Sequence, residues 1–407
     1  MERFFKDPRT PERFRSGPMG PHMQLVSNDL LKDGYTRRSI RYHLRIIDHF
    51  GHWLKKRGQT IEDMTNDHVR RYVHQRGCIR NGDAGALIHL LHLLRQEGKI
   101  PEEPAGELIP AQLMITEFIH YLQEERALAP STIATYSDYS KRFLIWRFGS
   151  RRIDLSSLRA GDVVGFVRDR AAAVRSEAIK NVTTALRSFL AYARYRGDTS
   201  ADLAAVVPRV ANWSQSPIPK GLPPEDVRRV VEGCDRTTSV GRRDYAILPL
   251  LARLGLRAGE IALMSVDDID WQGGCFTVHG KGGKRRQLPL PADVGKAIAA
   301  YLRVGRQQTP TRRLFLCAQA PFRAFKNHGP VSDVVKHALA RAGVKSLRRG
   351  AHQFRHALAC QMLRQGASLL EIGSVLRHES VHTTAIYAKV DFAALTPLAQ
   401  PWPGGVK

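Results

Sequence analysis

Two proline-rich segments limit the fold of this chain more than any other feature of its sequence. They read IPEEPAGELIP at 100–110 and PRVANWSQSPIPKGLPP at 208–224. Proline lacks a backbone N–H and disfavours the helical conformation in the residue before it, so such segments interrupt regular structure. At about 150 residues per domain, the 407 residues also exceed what one core usually holds. The sequence therefore predicts three separately folded blocks.

The first two blocks are predicted to be helical units of one design. Sliding the chain by 94 positions pairs Tyr42 with Tyr136, Val69 with Val163, Tyr72 with Phe166 and Val73 with Val167; after five extra residues, Leu91 pairs with Leu190 and Gly98 with Gly197. These are mostly apolar positions at helical spacing, which indicates a duplication. We expect a flexible or docked arm over the proline-containing residues 1–25, helical units over 26–105 and 110–205, and a linker over 206–221.

The third block, 222–392, is predicted to be mainly α with one small antiparallel sheet. Its segment CFTVHGKGGKRRQLPLP at 275–291 has the pattern of two strands joined by a glycine-rich turn. The flanking segments have helical periodicity. The final tail, 393–407, carries apolar residues that would dock either on this chain or on a neighbouring subunit.

The charge of the chain points to a polyanionic partner. Its 63 Lys and Arg against 38 Asp and Glu leave a formal charge of +25, with a pI near 10.3. Such an excess attracts nucleic acid, while an acidic membrane surface is the competing interpretation. We find neither an uninterrupted apolar run of about 18 residues nor a signal peptide, which weakens the membrane interpretation. The five scattered cysteines form no Cys-x-x-Cys pair, which favours a reducing, cytoplasmic location without a structural metal.

Polar side chains suited to phosphate chemistry recur in the third block, at predicted ends of helices and of the hairpin. They are Arg257, Lys281, His352, Arg355, His378 and Tyr387. A guanidinium group can donate two hydrogen bonds to two oxygens of one phosphate. A histidine can move a proton, and a lysine on a turn can protonate a leaving oxygen. A tyrosine would complete this set as the nucleophile. Taken singly, each has a structural explanation, and core packing is the alternative for Tyr387, as it is for Tyr301 in AIAAYLRVG.

In its order and its local motifs, the set resembles the active-site signature of the tyrosine recombinases, which include lambda integrase, Cre and the Xer proteins. The motifs are GLRAGEIALM around Arg257, GKGGKRRQLPL around Lys281, HQFRHALA around His352 and Arg355, and LRHESVHTTAIYAKV around His378 and Tyr387. The resemblance covers 222–392, and 112–197 as the helical core-binding domain of that family. Residues 1–110 have no obvious counterpart in its shortest members; as a second core-binding-like unit they would bind an additional DNA site, contact neighbouring subunits or only brace the fold. An added N-terminal block suggests a mobile-element recombinase.

The resemblance implies a site-specific recombinase that acts on double-stranded DNA without metal, ATP or another cofactor. Tyr387 would form a 3′-phosphotyrosyl link, Arg257 and Arg355 would hold the phosphate, and Lys281 would protonate the leaving oxygen. His352 would assist deprotonation of the tyrosine, while His378 would support the phosphate. The resemblance also implies a homotetramer assembled on nucleoid DNA, with accessory recombinases or DNA-bending proteins as further partners.

Two departures from the family pattern and three rival functions stay open at this point. Arg377 stands where the family usually has glycine, so it either contacts DNA or alters the turn, and Lys284 competes with Lys281 as the acid. A type IB topoisomerase would use the same residues, and a catalytically silent DNA-binding regulator would explain the charge. A metal-dependent nuclease would need clustered carboxylates or His-x-x-x-His spacing, and we expect neither to form a metal site here.

Overall fold

The structure is a computed structural model that describes residues 2–5, 7, 9–76, 82–102, 110–173, 176–210, 221–280, 283–346, 350–390 and 396. The chain divides into two compact units. One contains Met1–Glu102 together with Gln215–Lys407, and the other is Glu103–Ser214. Among the described residues, no helix combines the length and the apolar character needed to cross a membrane. Most of the predicted linker 206–221 and nearly all of the tail 393–407 lie outside the described residues.

The N-terminal part of the first unit is a bundle of helices. The helices are α1 Arg9–Ser16, α2 Gly20–Lys32, α3 Arg37–Lys55, α4 Asn66–Arg76 and α5 Asp83–Gln96. The long helix α3 begins where the Thr36 hydroxyl accepts a hydrogen bond from the Ser39 amide at 3.2 Å, which satisfies one of the free N–H groups of its first turn. Its apolar residues then recur every three or four positions and pack into the core of the bundle.

Of the two alternatives predicted for residues 1–25, the described part of the segment agrees with the docked arm and not with the flexible one. Phe14, Met19 and Met23 are completely buried in the core of the N-terminal bundle. The prolines misled the prediction because one of them, Pro21, lies in the first turn of α2, where a missing N–H costs nothing. The segment is therefore a packed part of the bundle.

The second unit contains α6 Pro110–Glu124, α7 Pro130–Phe148, α8 Ala160–Ala173, α9 Ser176–Tyr195 and the short α10 Leu203–Val206. Helices α6 to α9 pack around a core rich in phenylalanine, with Phe118, Phe143, Phe166 and Phe189 all 0–1% exposed. The α7 helix ends at Gly149, whose φ of 62° is readily adopted by glycine. This unit thus has a hydrophobic core of its own.

The C-terminal part of the first unit carries the remaining elements. They are α11 Pro224–Glu232, α12 Ser239–Leu254, α13 Ala258–Leu263, β1 Ile269–Asp270, β2 Cys275–His279, β3 Arg285–Pro289, α14 Ala292–Ala300, α15 Gly329–Arg341, α16 His352–Arg364, α17 Leu369–Leu376 and α18 Val381–Thr384. A 3₁₀ segment, Ala385–Val390, follows α18. The mainly α fold with a small antiparallel sheet is confirmed.

The sheet has the strand order β1-β2-β3, and both pairs are antiparallel. The predicted hairpin is present, with Cys275 opposite Pro289 and His279 opposite Arg285. Strand β1 was not predicted because its two residues are too short to show an alternating pattern. Phe276 and Val278 point from β2 into the main core, while the facing residues of β3 are largely exposed. The hairpin therefore projects its basic tip from a buried base.

Two apolar clusters lie in this C-terminal part. The large one is built mainly on α12, α14 and α15, and it includes Tyr301, which is 2% exposed as expected for a core tyrosine. The smaller one joins α16 and α17 to the 3₁₀ segment and consists of Ala359, Cys360, Ile372, Leu376 and Tyr387. Since the smaller cluster buries few side chains, rearranging it costs far less than opening the main core.

We expect Phe14→Ala to destabilise the N-terminal bundle by about 3–5 kcal/mol, because it removes a fully buried ring and leaves a cavity. Differential scanning calorimetry of the full chain measures the effect, with the exposed Arg9→Ala as the matched α1 control. A melting profile that Phe14→Ala leaves unchanged would show that α1 is not part of the packed bundle.

Candidate active site

The turn between α12 and α13 positions Arg257. Helix α12 ends at Gly255 in the left-handed conformation, with φ of 56°. A Cβ on Gly255 would lie 2.7 Å from Leu376 Cδ2 and 3.0 Å from Leu358 Cδ2, so glycine is required both by its φ and by its neighbours. Arg257 is the N-cap of α13, and its amide donates to Glu260 Oε2 at 2.8 Å. This hydrogen bond fixes the backbone of Arg257 at the start of α13. The same carboxylate, one helical turn further on, also holds the Arg257 side chain.

The carboxylate of Glu260 links two arginines. Its Oε1 accepts from Arg257 Nη1 at 2.7 Å, and its Oε2 accepts from Arg377 Nη2 at 3.2 Å. Glu260 is only 6% exposed, whereas the side chain of Arg257 is 42% exposed. The pair therefore differs from an ordinary surface ion pair, in which both partners are exposed. Glu260 is a buried anchor that leaves part of the Arg257 guanidinium free to meet a ligand.

The altered turn expected at Arg377 is not observed. Arg377 ends α17 in the left-handed conformation, with φ of 55° and ψ of 48°, so the turn that glycine would favour is retained at a cost of about 1–2 kcal/mol. The side chain is 6% exposed and turns inward, where Nη1 donates to the Leu254 carbonyl at 3.3 Å and to the Val375 carbonyl at 3.1 Å. Arg377 therefore extends the arginine cluster from Arg257 to the end of α17.

Arg355 is buried in the same cluster, at 1% exposure. Its Nη1 donates to the Gly255 carbonyl at 2.5 Å, and its Nη2 donates to the Leu376 carbonyl. Burial, and then the charges of Arg257 and Arg377, lower the pKa of Arg355 to about 10, while Glu260 opposes the shift. The site therefore holds excess positive charge that an incoming anion would stabilise.

Tyr387 is buried beside these arginines. It is 1% exposed, and burial raises its pKa to about 12, although the nearby Arg355 acts in the opposite direction. A hydrogen bond of 2.9 Å joins its hydroxyl to Nδ1 of His356. Burial does not distinguish Tyr387 from Tyr301, but the hydroxyl partner does, since Tyr301 accepts a backbone N–H from Leu316 at 3.4 Å.

The role of His356 was missed in the sequence. His356 lies one helical turn after His352 in HQFRHALA, and their rings meet edge to face with centroids 4.5 Å apart. His352 is exposed at the first position of α16, while His356 is 8% exposed. The i, i+4 spacing could have indicated that the two rings share a face, but the contact with Tyr387 depends on how the 3₁₀ segment packs on α16.

His378 faces the arginine cluster from the residue after Arg377. Its Nδ1 lies 2.7 Å from the Thr384 hydroxyl, and its amide donates to the Gly373 carbonyl at 2.9 Å. Burial, followed by the charges of Arg355 and Arg257, lowers the pKa of His378 to about 4. The imidazole is consequently neutral near pH 7 in the ligand-free protein.

A cavity of about 220 Å³ opens over these residues. It is lined by Arg257, Glu260, Val278, Gly280, Lys284, Arg286, Arg377, His378, Glu379 and Thr383. A neighbouring cavity of about 510 Å³ shares Arg257, Glu260 and Gly280, and includes His352. The structure thus brings Arg257, Arg355, His352, His378 and Tyr387 into one region, with Arg355 and Tyr387 behind the cavity surface.

Lys281 lies outside the described residues. Lys284, the alternative, lines the smaller cavity and forms an ion pair of 3.0 Å with Glu379. Its carbonyl accepts the Gly280 amide at 2.8 Å, which closes the hairpin turn. The choice of Lys281 as the acid therefore stays a prediction.

Potential metal ligands come together elsewhere in the described structure. Ligand atoms of Asp29, Asp33 and His89 lie within 4.8 Å of one another in the N-terminal bundle. At the arginine cluster, by contrast, both oxygens of Glu260 accept hydrogen bonds from arginines. The donor set around Tyr387 is therefore suited to an anion.

Comparison with known proteins agrees with this arrangement. The profile of the Phage integrase family matches residues 220–394, and that of the Phage integrase N-terminal SAM-like domain matches residues 115–197. The putative integrase/recombinase y4rA of Sinorhizobium fredii is 45% identical over 391 residues, which are 95% of each chain. The chain belongs to the phage integrase family of tyrosine recombinases, enzymes that cleave and rejoin DNA strands in site-specific recombination. The resemblance seen in the sequence motifs is confirmed.

More distant relatives lack part of this chain. The tyrosine recombinase XerD of Listeria innocua is 29% identical over 68% of this chain and 94% of its own. Among solved structures, the XerH recombinase bound to difH substrate has a TM-score of 0.53 at 19% identity, covering 72% of this chain and 97% of its own. The Tn1549 transposon integrase has a TM-score of 0.51 at 15% identity, covering 70% and 99%. At 19% and 15% identity, the similarity to these two structures shows a shared fold.

We expect Glu260→Gln to destabilise the fold by about 3–5 kcal/mol, because it leaves buried arginine charge without a counterion. Chemical denaturation monitored by circular dichroism measures the loss. The exposed Glu379→Gln is the matched control and should stay within about 0.5 kcal/mol of the parent. Equal stability of the two variants would show that Glu260 does not hold the arginines together.

Stability should fall as the pH drops from about 6.5 toward about 4. Because the folded protein lowers the pKa of His378, the unfolded chain binds more protons in this window, and acid favours unfolding. His378→Gln should reduce the slope of unfolding free energy against pH there, whereas the exposed His382→Gln should leave it unchanged. Identical slopes in the parent and the His378 variant would remove His378 as the source.

Proposed function

We propose that this protein exchanges DNA strands through a covalent phosphotyrosyl intermediate with Tyr387 as the nucleophile. The observation that carries the proposal is the position of the Tyr387 hydroxyl, bonded to His356 and influenced by the charge of Arg355, behind a cavity lined with arginines. Tyr301 is as deeply buried but lies in the main core, bonded to a backbone amide. Of these two described tyrosines, Tyr387 alone combines a histidine on its hydroxyl with an adjacent arginine cluster.

The arginines would form the phosphate clamp. Arg257 donates from Nη1 to Glu260 and, over 3.4 Å, from Nη2 to the Arg377 carbonyl, but its side chain is partly exposed and lines the cavity, so its remaining protons can meet a phosphate oxygen there. Each terminal nitrogen of Arg355 carries two protons, and the carbonyls of Gly255 and Leu376 each take one of them. Protons that remain can stabilise the charge that grows on the phosphate oxygens in the transition state.

Tyr387 must leave its buried position before it can react. A phenol with a pKa near 12 is a weak nucleophile, and its hydroxyl is closed off from solvent. The barrier to release is limited, because the ring packs in the small cluster of α16 and α17 and lies on a 3₁₀ segment. We infer that DNA binding selects a conformation in which this segment shifts and Tyr387 reaches the scissile phosphate.

The chemical step then balances without an external reagent. The tyrosine oxygen forms a bond to phosphorus, the bond from phosphorus to the 5′-oxygen breaks, and the tyrosine proton passes to a histidine, with His352 as the proposed acceptor. Lys281 protonates the leaving 5′-oxygen. A free 5′-hydroxyl from the partner strand reverses these steps and conserves the phosphoester bond, so ATP is not required.

The arginines are proposed to do the work that metal ions do in other phosphoryl-transfer enzymes. Both oxygens of Glu260, which could otherwise bind a divalent ion, accept hydrogen bonds from arginines. Arginines also keep their charge across the working pH range, even where burial lowers the pKa of Arg355 to about 10. We therefore expect cleavage to proceed in a chelating buffer.

Double-stranded DNA is the proposed partner, and a tetramer assembled on it is the proposed active form. Exchange between two duplexes takes four cleavages, one for each nucleophile. The charge of +25 supports binding to the phosphate backbone, and XerH and the Tn1549 integrase were solved in complex with DNA. A topoisomerase would relax supercoils with the same residues and exchange no partners.

Covalent trapping tests the nucleophile. We expect the protein, mixed with DNA fragments that include the flanks of its own coding region, to give a protein-linked product after addition of SDS, both with and without EDTA. Tyr387→Phe should abolish the adduct, since it removes the attacking oxygen. Gels of labelled fragments measure the product, and mapping its ends identifies the target site.

Tyr301→Phe is the control, because it removes an equally buried hydroxyl outside the site, and its adduct yield should stay within about twofold of the parent. An adduct that persists in the Tyr387 variant would overturn the assignment, and complete loss in EDTA would overturn the metal-independent mechanism. Relaxed plasmid without joined partners would instead indicate topoisomerase activity.

A further inference from the structure

The family profiles match residues 115–197 and 220–394 and leave the N-terminal bundle without an assigned role. Its helices α2 to α5 nevertheless follow the order of α6 to α9 in the second unit. Helices α3 and α7 each contain 19 residues. Buried Ile40, Leu44 and Ile47 of α3 correspond to buried Ile133, Ser137 and Ser140 of α7. This burial pattern corrects the register near Tyr42 from 94 to 93 positions.

An aromatic trio repeats between the two bundles. Phe50 stacks on Trp53 with ring planes 19° apart, and both rings meet Tyr72 edge to face, at 5.2 and 5.6 Å between centroids. In the second unit Phe143, Trp146 and Phe166 show the same arrangement, with a stacked pair also at 19° and edge contacts at 5.3 and 5.6 Å. Chance similarity of amphipathic helices does not produce matching ring geometry.

Polar contacts around the trio repeat as well. Trp53 Nε1 donates to Gln75 at 3.0 Å, and Trp146 Nε1 donates to Asp169 at 3.2 Å. Arg76 lies over the ring of Tyr72 at 5.9 Å, as Arg170 lies over the ring of Phe166 at 5.6 Å. Gln75 and Arg76 correspond to Asp169 and Arg170 at a separation of 94. The N-terminal bundle is therefore a second copy of the unit that the SAM-like profile matches.

The two copies differ on one helix face. In α3 and its C-cap, residues spaced three or four apart form a stripe that we call the basic stripe: Arg38, Arg41, Arg45, His49, His52 and Lys56. The corresponding face of α7 carries Ser131, Ala134, Asp138, Arg142 and Ile145. The stripe is thus a property of the first copy and not a consequence of the shared fold.

The basic stripe is available for a partner. All of its residues are exposed except Arg41, which is partly exposed, and at 1.5 Å per residue the stripe is about 27 Å long. Among the described residues, no carboxylate forms an ion pair with Arg38, Arg41 or Arg45. Asp48, 3.6 Å from His52 Nδ1, is itself buried. Next to the stripe, a groove of about 490 Å³ adds Arg57 and Arg76.

This chemistry fits a duplex better than a membrane surface. A helix that binds membranes inserts an exposed apolar face between lipids. The apolar face of α3, including Ile40, Leu44 and Ile47, is instead buried in the core of the bundle. Cationic side chains at steps of one helical turn along a rigid rod suit the regularly spaced charges of a phosphate backbone.

We propose that the N-terminal bundle is a second DNA-binding unit that contacts the phosphates of double-stranded DNA through the basic stripe. This contact lies outside the cleavage site. The proposal rests on the proposed function only in taking double-stranded DNA as the partner. The contact is independent of sequence, because exposed arginines on phosphates position a duplex without reading its bases.

The test uses the full chain carrying Tyr387→Phe, so that binding is measured without strand cleavage. Fluorescence anisotropy with a random-sequence duplex of about 40 base pairs gives the affinity at several salt concentrations. We expect Arg38→Gln, Arg41→Gln and Arg45→Gln together to weaken binding about tenfold or more. The slope of log affinity against log salt should become shallower by about 2 to 3, since each lost phosphate contact removes about 0.9.

Two control variants separate the stripe from overall charge. Arg228→Gln, Arg303→Gln and Arg364→Gln together remove the same charge from exposed positions of the C-terminal part, and binding should change by less than about threefold. Replacing Arg38, Arg41 and Arg45 by lysine should retain the salt slope of the parent. Circular dichroism melts confirm that each variant is folded.

An equal loss of affinity in the stripe and control variants would overturn the proposal, as would an unchanged salt slope in the stripe variant. Binding of the stripe variant to vesicles rich in phosphatidylserine is measured in parallel. Loss of vesicle binding with intact DNA binding would assign the stripe to a membrane surface and overturn the DNA contact. None of these outcomes depends on whether Tyr387 is the nucleophile.

Discussion

The buried carboxylate of Glu260 organises the site because it lies between two arginines that belong to different parts of the chain. Arg257 comes from the start of α13, and Arg377 comes from the end of α17. Without this negative charge, their mutual repulsion and that of Arg355 would oppose burial. One carboxylate does not neutralise three guanidinium groups, so the cluster keeps the excess positive charge that a phosphodiester would stabilise. The same interaction thus supports both the fold and the proposed chemistry.

The geometry around Tyr387, the proposed nucleophile, keeps its hydroxyl in an unreactive position. Its hydroxyl is buried and bonded to His356, its pKa is raised to about 12, and His378 is neutral near pH 7. A bound phosphate would favour a positively charged His378, and movement of the 3₁₀ segment would free the tyrosine. Placing Tyr387 in a small apolar cluster, apart from the main core, allows that movement without unfolding the domain. Under the proposed mechanism, burial of Tyr387 would also protect DNA from cleavage before the complex has assembled.

The duplication that we propose for the N-terminal bundle would let one copy of a unit acquire a different surface. The aromatic trio around Trp53 and its counterpart around Trp146 have nearly the same ring geometry in the two bundles. The solvent-facing positions of α3 and α7 have diverged, from a row of cations in one to a mixed surface in the other. Core packing constrains shape closely, whereas exposed helix positions tolerate change and can take on a new partner.

The sequence by itself determined the helical class, the hairpin and the residues that match the family motifs. These features depend on local periodicity and on short motifs, which are visible along the chain. The tertiary structure decided which groups meet. The inward pairing of Arg377 with Glu260 joins residues 117 positions apart, and the contact of His356 with Tyr387 joins residues 31 positions apart. Local patterns contain no information on such contacts, because they arise when separate helices pack and buried charges must find partners.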